Sequence, residues 1–199
     1  MAKITPTALF LSLILTGTVT AFSSVAAADT QCYRADQASG VLAFDGVTEG
    51  RGFDGEFEDF SVRMCLTDQD LSTATIEVVV ETGSADTNSR DRDQTLQGEE
   101  FFWVNQFPQA QWSSQAIVPS SGEFSHLVQG TLKLKDISQD QAVEMRLVTD
   151  EAGRSRLQGQ AEIFRLDYNV GTGEFADTDF IENRVGVTFD LGLVAEDAR

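Results

Sequence analysis

Two arginine–aspartate steps, Arg92-Asp93 and Arg165-Leu166-Asp167, are the polar features of this chain best suited to chemistry. A guanidinium fork matches a carboxylate or another polar head, so each step reads either as a ligand contact or as an ion pair that organises a loop. The run Asp54, Glu56, Glu58 and Asp59 offers hard oxygen ligands, as does Asp86-Thr87-Asn88. Neither has the loop of alternating oxygens, glycine and terminal glutamate that a calcium site needs. His126 is the only histidine, so no imidazole partner exists for a metal or for a nucleophile–base–orienting group. These features predict no catalytic residue, no metal and no cofactor beyond a bound lipid. The two cysteines, Cys32 and Cys65, have no C-x-x-C spacing. In an oxidising compartment such a pair forms a disulfide.

The compartment is itself legible. Lys3, an apolar run from Ala8 to Val19, and Ala26-Ala27-Ala28 have the layout of a secretion signal cleaved before Asp29. The apolar run is shorter than the roughly 20 residues of a membrane span. Residues 1–28 are therefore expected to be a signal peptide, and 29–199 one exported, periplasmic domain. Thirty-two acidic side chains against 14 basic ones leave a net charge of −18. That field repels nucleic acid and anionic lipid headgroups.

The hydrophobic period in this domain is two. Val128, Gly130, Leu132 and Leu134 alternate with Gln129, Thr131, Lys133 and Lys135. The same alternation runs through Ile76–Val80, Val143–Leu147, Leu157–Ile163 and Val185–Leu191. Each reads as an antiparallel strand with one dry and one wet face. Adding Val41–Phe44, Gly52–Leu66 and Ala110–Val118 gives about eight strands, the number that closes a small ligand-holding barrel. Parity changes inside Gly52–Leu66, which predicts a bend near Asp59. The longest connection, Gly83 to Pro108, predicts a short helix over Gln94–Val104 across one barrel end. Charges such as Glu77, Lys133, Arg146 and Glu162 on the second face exclude a lipid-facing exterior.

The ordered motifs resemble those of the YceI-like family. They are Phe53-Asp54-Gly55-Glu56-Phe57-Glu58-Asp59-Phe60; Thr87 with Arg92-Asp93 and Leu96; Phe101-Phe102; Phe107-Pro108 before Trp112-Ser113-Ser114; and Gly130-Thr131-Leu132. Arg165–Gly171 followed by Gly173-Glu174-Phe175-Ala176-Asp177-Thr178 completes the set. The resemblance implies a lipocalin-like, up-and-down antiparallel barrel that carries an isoprenoid-tailed amphiphile, a polyisoprenoid or a quinone-like lipid, inside a tunnel. The expected ligand contacts are Phe53, Phe57, Phe60, Met64, Trp112, Leu132, Met145, Ile163 and Phe189, with Arg92 and Arg165 at the polar head. Gly130, Gly159 and Ala161 share the dry face and are expected to leave it room. Two other readings compete: a stress or interaction protein with a packed barrel, and a lipid-modifying barrel enzyme. A homodimer and transient membrane contact are compatible with all three.

Overall fold

The computed structural model describes residues 29–196, so the expected signal peptide lies outside the described residues. In chain order the elements are β1 (Thr30–Asp36), β2 (Gly40–Thr48), β3 (Arg51–Phe57), β4 (Phe60–Thr67), β5 (Asp70–Glu81) and β6 (Ala85–Asp86). Helix α1 (Arg90–Gln97) follows, then β7 (Gln109–Pro119), β8 (His126–Leu134), β9 (Ile137–Thr149), β10 (Ser155–Phe164), β11 (Arg184–Gly192) and β12 (Val194–Ala195). All strands join one antiparallel sheet in the order β12-β1-β4-β5-β7-β8-β9-β10-β11-β2-β3-β6.

From β4 to β11 the sheet is an up-and-down meander of neighbours in sequence, except for the two-residue β6, which pairs with β3 at the edge. The first three strands depart from that order: β1 flanks β4, whereas β2 flanks β11. Gln37–Ser39 alone link β1 to β2, and Glu58-Asp59 alone link β3 to β4. Links this short cannot span an open sheet, so the two flanks of the meander curl together. The last residues draw them closer. Leu193 N–H donates to Ser155 O at 2.8 Å, and Glu196 N–H to Cys32 O at 2.8 Å, while β12 pairs with Tyr33 and Arg34 of β1. The β2–β3 hairpin, paired to β11, belongs to the same curled sheet and lines its dry face.

The expected count of about eight strands thus becomes twelve. Strand β1 escaped the periodicity because only Ala35 of its seven residues is buried. Gly52–Leu66 divides into β3 and β4 at the exposed corner Glu58-Asp59, where the parity change predicts a bend. Inward faces follow the alternation elsewhere: Phe60, Val62, Met64 and Leu66 of β4 are all buried, with Ser61 and Arg63 exposed between them.

The helix starts earlier than expected. Ser89 precedes it, Asp91 and Asp93 occupy its first turn where the helix dipole favours acids, and Gly98 ends it. Phe101–Val104, assigned to the helix from sequence, form turns instead, with Trp103 at φ +50°.

Cys32 and Cys65 face each other in register on β1 and β4 and are bonded. The bond closes a loop of 33 residues. Reduction, or a Cys32→Ser/Cys65→Ser pair, is expected to remove about 3 kcal/mol of stability. Urea unfolding with and without reductant measures it. An unchanged midpoint would mean that the β1–β4 ladder holds this flank without the bond.

Candidate functional site

The dry face encloses a cavity of about 230 Å³. One water needs roughly 10–15 Å³ of such space, so the cavity accepts on the order of 15 to 20 methylene-sized groups. Its wall is almost wholly apolar. Leu42 and Phe44 of β2, Ile76, Val78 and Val80 of β5, Trp112 of β7, Leu132 of β8, Val143 and Met145 of β9, Ile163 of β10 and Phe189 of β11 all contribute. Phe53 and Phe57 of β3 close one side.

One end of the barrel is solid. Met64, Leu66, Leu71, Ala74 and Val128 are buried but do not border the cavity. They sit at the end of β4 and the starts of β5 and β8, opposite the end of β5 from which the chain leaves for α1. At that other end lies a cap of two pieces. Leu96 of α1 with Phe101 and Phe102 is one piece, and the segment after β10, with Val170 and Ile181, is the other. The pieces are bonded together. Gly171 and Thr172 N–H both donate to Glu100 O, at 2.7 and 2.9 Å, and the Phe101 and Phe175 rings lie 5.0 Å apart.

Arg165 organises the second piece. It is only 4% exposed and, among the described residues, has no carboxylate partner. Its Nε donates to Glu182 O, Nη1 to Val170 O and Gly171 O, and Nη2 to Phe175 O and Ile181 O, at 2.7–3.0 Å. Those bonds use all five N–H donors of a guanidinium. Arg165 therefore borders the cavity but keeps no donor for a ligand's head, and the expected pairing with Asp167 does not form. Gly171, at φ +76°, lies so close to Nη1 that a Cβ would overlap it.

Arg92 likewise serves the fold. Nε donates to Thr87 Oγ1 at 2.8 Å and Nη2 to Thr87 O at 3.0 Å. Asp93 accepts from the Thr87 N–H and hydroxyl, so the two side chains clamp one buried threonine from opposite sides. The guanidinium lies 4.7 Å over the Phe53 ring and outside the cavity wall. Of the expected contacts, Phe53, Phe57, Trp112, Leu132, Met145, Ile163, Phe189 and Arg165 border the cavity. Phe60, Met64 and Arg92 do not.

The glycines also differ from expectation. A Cβ at Gly159 would overlap the Phe189 ring, and one at Gly130 the Trp112 indole. Gly55 receives Phe44 and Gly46 receives Phe53 in the same way. These glycines hold aromatic rings flat against the sheet and leave no empty space of their own. Of these positions Gly46 borders the cavity, and so does Ala161.

Lys135 was missed by the alternation, which places it on the wet face. At the β8–β9 corner it has φ +56° and is 8% exposed. Its Nζ donates to Asn169 O at 2.9 Å and Glu99 O at 3.3 Å, tying both cap pieces to the barrel. Burial draws its pKa below the usual lysine value, against the opposing pull of Asp136 and Glu99. His126 hydrogen-bonds Ser72 Oγ at 3.2 Å and Ser125 Oγ at 2.8 Å, at the solid end and away from the cavity.

An antiparallel barrel with an apolar cavity beneath a bonded cap defines a lipocalin-like binding fold. The chain belongs to the YceI-like family: the YceI-like domain matches residues 33–193. A UPF0312 protein of Yersinia pestis (strain Pestoides F) is 30% identical over 123 residues, which cover 59% of this chain and 63% of that protein. Protein YceI of Salmonella arizonae is 28% identical over the same share of each. The match thus spans less than two thirds of these relatives' length. Two solved structures share the fold. Burkholderia cenocepacia BcnA superposes with a TM-score of 0.73 at 23% identity, over 80% of this chain and 99% of its own. A polyisoprenoid binding domain from Saccharophagus degradans, implicated in plant cell wall breakdown, gives 0.63 at 18% identity, over 83% and 98%.

Proposed function

We propose that this protein is a non-catalytic periplasmic carrier that holds the hydrocarbon tail of an isoprenoid-type amphiphile in its barrel. The observation that carries this reading is the apolar cavity between the solid end and the cap; a packed barrel would have none. Burying about 15 methylenes at about 0.8 kcal/mol each contributes roughly 12 kcal/mol gross. Ordering the tail and fixing the ligand offset much of it. The tail therefore sets affinity, and the likeness to the Saccharophagus polyisoprenoid binding domain supports an isoprenoid one. The signal-like N-terminus and the disulfide support the periplasm.

Protein released from the periplasm by osmotic shock is expected to show a lipid-sized mass adduct by native mass spectrometry. Organic extraction should remove it and yield an isoprenoid lipid. Protein with only its bare mass, from cells rich in such lipids, would count against the carrier.

A further inference from the structure

Two junctions at the capped end of the barrel lack a strand ladder. Beyond Gln160↔Glu144 the upper parts of β10 and β9 have no paired residues. Side chains close that gap. Gln141 Nε2, from β9, donates to Glu162 O of β10 at 2.9 Å, and Lys135 Nζ holds Asn169 O, past the end of β10.

The second junction has no such bond. Strand β3 pairs with β2 from Arg51 to Glu56, but on its other edge only Glu56 and Phe57 have partners, in β6. β5 pairs with β4 and stops at Glu81, so no strand flanks Arg51–Gly55 on that side. Helix α1 covers the edge instead, a common way to shield one. Its Arg92 lies over the Phe53 ring and its Leu96 borders the cavity, one turn apart on a single helix face. Just past the helix, the Phe102 ring lies 6.3 Å from that of Phe57. Among the described residues, no hydrogen bond joins Arg51–Gly55 to α1 or to residues 98–104. Leu96 is the single buried residue of α1, so little apolar contact anchors the helix. Phe53, Phe57, Leu96 and Phe102 all border the cavity, and parting this seam therefore opens it directly.

Resting on the carrier reading above, we infer that the seam between β3 and α1 is the portal through which a lipid tail enters and leaves the barrel, held shut by Arg92. The cavity offers a ligand no polar atom, so the tail passes inward and the head stays at the surface. Phenylalanine rings on both sides of the seam suit the passage of hydrocarbon. Arg92 itself lies outside the cavity wall, so releasing it changes how fast a ligand moves and not how tightly it is held.

Delipidated protein loaded with geranylgeraniol, an isoprenoid alcohol of about 20 carbons sized to the cavity, tests this. Its release into excess phosphatidylcholine vesicles is followed by tryptophan fluorescence, since Trp112 borders the cavity. Arg92→Met removes the cation over Phe53 and the bonds to Thr87, both of which hold the helix. It is expected to speed release about fivefold, the worth of one cation–π contact, and to leave the dissociation constant within about twofold. Lys135→Met, which loosens the β9–β10 side of the cap, should release at the wild-type rate. Hydrogen exchange of the wild-type protein gives a reading that needs no variant: amides of 90–97 should exchange faster than those of 165–171. Unchanged release from Arg92→Met, faster release from Lys135→Met, or helix amides as protected as 165–171 each overturns the portal and leaves the carrier standing. If the wild-type protein takes up no geranylgeraniol, the carrier reading falls and takes this inference with it.

Discussion

Arg165→Lys is expected to lower folding stability by about 4 kcal/mol, because an ammonium has three donors where the fold needs five. At least two of the buried or half-buried carbonyls of Val170, Gly171, Phe175, Ile181 and Glu182 would lose their partner. Arg165→Met, which keeps bulk and removes every donor, should cost more. Chemical denaturation reads the loss, and hydrogen exchange locates it, with protection falling first across residues 165–182. A loss below about 1 kcal/mol for the lysine variant would show that water serves these carbonyls equally well.

Two substitutions a strand step apart should separate holding a ligand from holding the fold. Ala161→Phe places a ring in the cavity and is expected to abolish retained lipid while the barrel persists, since filling empty space offsets the strain of added bulk. Gly159→Leu instead forces a side chain into the Phe189 ring and the Glu144 carbonyl. That overlap is expected to cost about 3 kcal/mol or more, with poor accumulation of folded protein. Native mass spectrometry and thermal unfolding of the two variants side by side decide the matter. A folded Ala161→Phe protein that still carries its lipid would place the ligand outside the barrel.

Alternation read along the chain finds the long strands from β5 to β11, because each has one face in the core and one in water. It finds neither β1, whose exposed residues hide its pairing, nor the corner between β3 and β4, which only a change of parity betrays. Lys135 shows the limit of pattern: its parity says wet, yet a corner with positive φ turns it under the cap. Arg165 shows another. An arginine near an aspartate reads as an ion pair, and no pattern in the sequence announces that five carbonyls of the following segment, from Val170 to Glu182, will surround it instead. The aromatic lining was legible because large apolar residues recur on one parity. Which of them border space depends on where the barrel closes: Met64 fills the solid end, and Phe60, opposite Val80, is buried at the cap end outside the cavity wall. The glycines were legible as inward positions, but their role depends on rings one strand away.

Strand β1 meets β12 at the opposite end of the chain, Tyr33 beside Ala195 and Arg34 beside Val194. A ribosome making this protein therefore releases the first strand long before its second neighbour exists. The ring cannot shut before β12 is made, however quickly the middle hairpins form. Contacts so remote in sequence also slow folding, because a long loop must close before they are made. The chain has an interval, set by its own topology, in which its middle hairpins are paired and its ring is still open.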